Sequence, residues 1–266
     1  MLTIGFIAAS CIGISLGLIG GGGSILTVPV LVYLFGFDPL IATLYSLFIV
    51  GITSAMGTLG YMAKREVCYS TALAIGLASV TTVLLMRYFV LPSIPSVLYR
   101  SQGMVISRNS ATMFLFALVM LVSAYLMINQ KAIHQQAVKQ KNARVGRLLL
   151  YGAGVGIITG LLGAGGGFLL IPTFVILLTF PMQKAIGTSL LIITMNSLIG
   201  FLSDVHRYEI AWPDLLWITA LASVGVLIGA FLSKKITGVK LKKSFGFFVL
   251  AVSVFILFKE GVSYIN

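Results

Sequence analysis

Gly17-Leu18-Ile19-Gly20-Gly21-Gly22-Gly23-Ser24, closed by Pro29, returns as Gly160-Leu161-Leu162-Gly163-Ala164-Gly165-Gly166-Gly167, closed by Pro172. The offset of 143 carries residues 17–69 onto residues 160–212 without a gap, and about a third of the aligned positions are identical. Ala42, Ser46, Leu47, Ser54, Gly57 and Glu66 fall on Ala185, Ser189, Leu190, Ser197, Gly200 and Glu209. A glycine-broken apolar segment that occurs twice is the pattern of repeat-built transporters, whose substrate site lies near mid-membrane where the two copies meet.

The composition sets the solvent. Of 266 residues, 59% are hydrophobic and 9% are charged, with a mean hydropathy of +1.08. A soluble domain carries about 25% charged residues. The chain therefore reads as an all-α, polytopic membrane protein. The net charge of +12 comes from 18 basic residues against 6 acids. The basic residues cluster between apolar runs, where they meet lipid headgroups and set topology, and nucleic acid is not expected as a partner. Cys11 and Cys68 sit in or beside apolar segments and read as small buried hydrophobes.

Two stretches, 2–36 and 148–180, contain a short apolar run of roughly a dozen residues after each glycine cluster, too short for a straight span of about 20. They read as helix–break–helix hairpins. Apolar runs at 40–61, 70–91 and 104–128, and at 185–203, 213–233 and 244–258, supply three spans per half. The expected organisation is a first transmembrane repeat at 1–128, a basic cytoplasmic linker at 129–147 and a second repeat at 148–266. Lys131, Lys139, Lys141, Arg144 and Arg147 in the linker, and Lys234 to Lys243 near 234–243, place both segments inside. Counting spans from them puts loop 62–69 inside and its mate at 205–212 outside, so the halves are expected to be inverted. Arg100, in a loop expected outside, runs against the positive-inside rule.

Gly20, Gly21, Gly22, Gly23 and Ser24, with Gly163, Gly165, Gly166 and Gly167, are the first candidate substrate-binding residues. Glycine leaves backbone N–H groups uncovered, and each cluster leads into a short helix whose first amides point into the break. Such a cradle suits an anion without a cationic side chain. Close helix packing through small residues is the alternative. Ser46, Thr188, Ser189 and Asn196 add polar groups on the following helices, with Ser54 and Ser197 ranked below them. Helix–helix hydrogen bonding is the competing role for all six. Every acid, from Asp38 to Glu260, is expected at a loop or span end, which disfavours a carboxylate-built cation site. Lys184 and Arg87, near span ends, could attract anions or snorkel to the interface, and Glu66 and Glu209 read as members of local salt bridges with Arg65 and Arg207. No metal spacing, nucleotide loop or nucleophile–base pair is present, so no cofactor and no enzymatic activity are expected.

The two glycine motifs, together with Lys184-Ala185-Ile186-Gly187-Thr188-Ser189-Leu190, resemble the sulfite exporter TauE/SafE family. The first copy, Ala42-Thr43-Leu44-Tyr45-Ser46-Leu47, departs from the Ala-x-Gly-Thr-Ser pattern. The resemblance implies a multi-pass inner (plasma) membrane protein that exports sulfite, organosulfonates or related small sulfur oxyanions by alternating access. Its partners would be the small anion and lipid, with a homo-oligomer left open. A proton- or sodium-coupled uptake carrier for sulfur-containing anions and a non-transporting membrane scaffold stay open as alternatives.

Overall fold

The computed structural model describes residues 2–95, 97–101, 104–129, 145–163, 165–176, 178, 180–233 and 238–263. Most of the linker expected at 129–147 lies outside these residues, as do Ala164, Lys234 and Lys235.

In the first half, α1 (Leu2–Ile19) runs into a 3-10 segment (Gly20–Leu26) and a short α2 (Thr27–Tyr33). Then come α3 (Pro39–Ala63) and α4 (Tyr69–Leu85), which continues through a π-helical turn (Met86–Val90) into α5 (Leu91–Ser93). A hairpin of β1 (Val97–Ser101) and β2 (Met104–Ser107) leads to α6 (Arg108–Ile128). The second half repeats the plan with α7 (Val145–Leu162), α8 (Gly167–Ile176), α9 (Met182–Asp204), α10 (Trp212–Ser233) and α11 (Gly238–Ser263). Both helix–break–helix units are therefore present. The hairpin was not foreseen in an all-α reading. Its signal is local, with Val97, Tyr99, Val105 and Ile106 flanking Gln102-Gly103, a strand-turn-strand composition inside a stretch otherwise judged by hydropathy.

Local chemistry fixes the helix starts. Asp38 caps α3 by accepting from the Leu40 N–H at 2.9 Å, with Pro39 in the first turn, and Ser107 caps α6 by accepting from the Ser110 N–H at 3.1 Å. Five helices among the described residues are long and apolar enough to cross a membrane: Pro39–Ala63, Tyr69–Ser93, Arg108–Ile128, Met182–Asp204 and Trp212–Leu232. Large apolar side chains such as Leu59, Leu150, Trp217 and Phe258 stand exposed, as a lipid-facing surface requires.

The halves interlace. α1 packs on α10, and α7 packs on α4. Gly13 lies against Ala222 and Gly225, and Gly17 against Val226 and Gly229, so α1 and α10 run parallel with their backbones in contact. The mates repeat this: Gly156 lies against Ser79 and Thr82, and Gly160 against Val83 and Met86. At the centre α3 crosses α9 in the opposite sense, because Leu47 meets Gly200, Gly51 meets Leu198 and Gly57 meets Leu190. The start of α11 likewise meets the end of α6, through Gly246 against Met127 and Ile128.

Candidate functional site at the two helix breaks

The glycine breaks of the two halves touch each other. A Cβ on Gly21 would lie 2.9 Å from the Gly167 Cα, and one on Gly167 would lie 2.6 Å from the Gly21 Cα. Ile193 of α9 closes over both. The same exchange governs the flanks: Gly20 is packed on Ile186, and its mate Gly163 on Thr43, the mate of Ile186. This pairing of backbone against backbone is what the glycines permit, and it puts both breaks beside the α3–α9 crossing.

The two breaks differ in shape. In the first, Gly20, Gly21, Gly22, Gly23 and Ser24 are wound into the 3-10 segment, with only Gly20 at positive φ (72°), and the Ser24 hydroxyl donates to the Gly21 carbonyl at 2.8 Å. In the second, Gly163, Gly165 and Gly166 all have φ between 66° and 69°, a conformation that side chains other than glycine's adopt at a cost. The second break, which leads into α8, is thus the one whose backbone requires glycine at several positions. The first leads into a seven-residue helix and is closed by its own turns.

The polar side chains divide into three groups. Some hold the frame. The Ser46 hydroxyl donates to the Gly163 carbonyl at 2.9 Å and so fixes the second break from α3. Thr188 accepts from the Cys68 N–H at 3.0 Å, and Tyr45, its repeat mate, accepts from the Ala211 N–H, the mate of Cys68, at 2.8 Å. The Thr-to-Tyr departure between the copies preserves one function, anchoring a span-end loop of the opposite half. A second group satisfies itself within one helix: Ser189 donates to Ile186 O, Thr53 to Ile49 O and Thr58 to Ser54 O.

The third group is buried and unpaired. Among the described residues, the hydroxyls of Ser54 and Ser197 are fully buried and have no hydrogen-bond partner. They are repeat mates, and the Ser197 Oγ lies 3.1 Å from where a Gly165 Cβ would be. Thr27 and Thr159 carry further unpaired hydroxyls; Thr159 stands against Gly166. Asn196 donates to the Ser79 Oγ at 2.6 Å and leaves its Oδ1 unpaired; whichever way the amide is turned, one of its polar atoms has no protein partner. Buried polar groups are almost always paired, with protein, water or ligand. The unpaired Ser197 hydroxyl lies beside the second break, and its unpaired repeat mate Ser54 lies on α3.

The breaks thus gather the glycines, Ser24, Ser46 and Ser197. Thr188 and Ser189 are bonded elsewhere, and Asn196 is turned toward Ser79 on α4. Ser54 and Ser197, ranked below the other candidates in the sequence, are the two whose hydroxyls are buried without a partner, and the one sequence signal for them is that both copies keep the serine. Arg87 does not snorkel. Its side chain is 1% exposed and paired with Asp204 at 2.6 Å. Arg207 turns to Asp204 at 3.5 Å and not to Glu209, and among the described residues Glu66 and Glu209 make no salt bridge. Cys11 and Cys68 are both free, and Cys11 is exposed beside an apolar groove of about 510 Å³ between α1, α2 and α11. No group of acidic, histidine or cysteine side chains among the described residues could hold a metal ion.

The family profile described as sulfite exporter TauE/SafE matches residues 5–256. A "Probable membrane transporter protein" of Xylella fastidiosa is 28% identical over 270 residues, spanning 99% of this chain and 97% of its own. "Probable membrane transporter protein YunE" of Bacillus subtilis is 28% identical over 257 residues, spanning 88% of each. "Sulfite exporter TauE/SafE family protein 3" of Arabidopsis thaliana is 28% identical over 130 residues, 47% of this chain and 27% of its own. No solved structure matches the chain.

Proposed function

The chain belongs to the sulfite exporter TauE/SafE family and is a multi-pass membrane transporter, and we propose that it carries a small sulfur oxyanion, sulfite or an organosulfonate, out across the inner (plasma) membrane. The observation that carries this reading is the pair of buried, unpaired hydroxyls, Ser54 on α3 and Ser197 on α9, the latter beside the second helix break. A compact oxyanion offers several acceptor oxygens to such donors and to the bare amides of Gly165, Gly166 and Gly167, next to the start of α8. Ser46 sets the second break through the Gly163 carbonyl and acts on the anion indirectly.

The two halves are inverted with respect to each other. The opposite sense of α3 and α9, which are repeat mates, supports this, as does the parallel packing of α1 on α10 and of α7 on α4. Because each half lends its first helix to the other, alternating access moves bodies that each contain helices from both copies. Ser54, Ser197, Gly165, Gly166 and Gly167 are buried, so the anion enters and leaves only through such movement. A cell interior negative by 100 mV favours exit of each negative charge by about 2.3 kcal/mol, so export needs no coupled ion.

The test is counterflow uptake of labelled sulfite, thiosulfate, sulfoacetate and taurine into proteoliposomes, with a valinomycin-set potential. Potential-dependent exchange of one oxyanion, indifferent to imposed proton or sodium gradients, is the expected result. Gradient-driven accumulation would replace export with coupled uptake. No exchange of any of the four by inserted, folded protein would overturn the reading.

A further inference from the structure

Arg87 is the largest fully buried polar side chain among the described residues, and only part of it is spoken for. Its Nη1 meets the Asp204 carboxylate at 2.6 Å, while Nε and Nη2 are buried with no hydrogen-bond partner. Those two N–H groups form the side-on edge of the guanidinium, the fork that receives two oxygens of one carboxylate, phosphate or sulfur oxyanion. An ionised group with two buried donors unmade is costly and calls for an acceptor. The surrounding charge has the same sign. Arg207 donates to the Arg87 carbonyl at 3.1 Å, approaches the same Asp204 at 3.5 Å and stacks over Tyr88 at 4.5 Å. Two guanidinium groups thus share one carboxylate, and the cluster is one positive charge in excess.

The position is near the second break. The Arg87 Cδ lies 3.9 Å from where a Cβ on Gly200 would be, one turn beyond Asn196 and Ser197 on α9. Neighbouring Met86 packs on Gly160, in the last turn of α7 before the second break. Helix packing does not demand the charge. The repeat mates of Arg87 and Asp204 are Ala230 and Tyr61, so the equivalent α10–α3 contact is built with no ion pair between these positions. We propose that the free Nε–Nη2 edge of Arg87 is a second oxyanion station, one helical turn from the breaks, at which a small anion competes with Asp204 for the guanidinium. The proposal rests on the oxyanion-transport reading above.

The experiment is equilibrium binding and counterflow of labelled sulfite with the purified full chain in lipid, alongside its thermal unfolding with and without sulfite. Arg87→Lys keeps a cation for Asp204 but has no fork, so sulfite binding weakens about ten-fold or more while the melting profile without sulfite stays near native. Asp204→Asn removes the competitor, so sulfite binds more tightly, stabilises the protein further and exchanges more slowly. If Arg87 only partners Asp204, Arg87→Lys binds sulfite within about two-fold of the wild type, and so does the neutral pair Arg87→Gln with Asp204→Asn. That result would overturn the station while leaving transport intact. Should Arg87→Lys fail to insert, the Asp204→Asn affinity decides, tighter binding supporting the station and equal or weaker binding overturning it. Wild-type protein that neither binds nor exchanges sulfite or any of the other three oxyanions would overturn both readings.

Discussion

Gly21 and Gly167 face each other across the two halves, and the distance between them leaves no room for a methyl group. A Cβ at position 167 would meet backbone atoms of Gly21 that cannot rotate away. Overpacking of this kind costs about 1–3 kcal/mol. Gly167→Ala is therefore expected to lower the melting temperature and to abolish oxyanion exchange. Gly60→Ala and Gly154→Ala, where nothing lies within 4 Å, should leave both unchanged. Parallel melting and counterflow measurements on the three variants check this. Equal tolerance at all three positions would remove the close approach from the account. Ser54 and Ser197 were legible only as a conserved spacing between the copies. Whether a serine in an apolar helix bonds its own carbonyls depends on its rotamer and its neighbours, and spacing says nothing of either. The burial of Arg87 was hidden for a related reason. A residue near a span end is free to snorkel unless another helix covers it, and the cover here is α9, which brings Asp204 from 117 residues away.

At the scale of elements, the hydropathy and the duplication were enough to read the helices, the breaks and their order. The partners of each helix were not legible, because the offset between copies says which segments are alike and not which ones touch. The interlacing depends on the glycine faces of α1, α10, α7 and α4 coming together in parallel. Tyr45 and Thr188 illustrate the gap. In sequence they are a departure from a motif. In the fold they are equivalent anchors for Ala211 and Cys68. Tyr45→Phe and Thr188→Val each remove one acceptor, and each should destabilise by about 1 kcal/mol, as read by thermal unfolding. Exchange of oxyanion should persist in both. Abolished exchange with unchanged stability would return Thr188 to the binding site. The hairpin β1–β2 was missed because β1 falls in the expected loop before residue 104 and β2 at the start of the apolar run 104–128, so hydropathy divided the two strands.

The whole molecule is two copies of one plan locked by exchange of their first helices. If the copies are inverted, loops 62–69 and 205–212 emerge on opposite faces of the membrane. Single cysteines at Lys64 and at His206, in a background lacking Cys11 and Cys68, should be labelled by an impermeant maleimide from opposite sides. Labelling of both from one side would make the repeat parallel. In the proposed mechanism the central anion site is built from a few uncharged groups, with Arg87 one turn further along α9, against Gly200. Their role is separable from folding, because Ser54 and Ser197 make no hydrogen bond that the folded chain would lose. The most direct measurement is sulfite counterflow by the Ser54→Ala/Ser197→Ala double variant in proteoliposomes, with its melting temperature measured on the same preparation. The account predicts a protein as stable as the wild type, or slightly more so, whose exchange falls by about ten-fold or more. Wild-type exchange rates in an equally stable variant would contradict it.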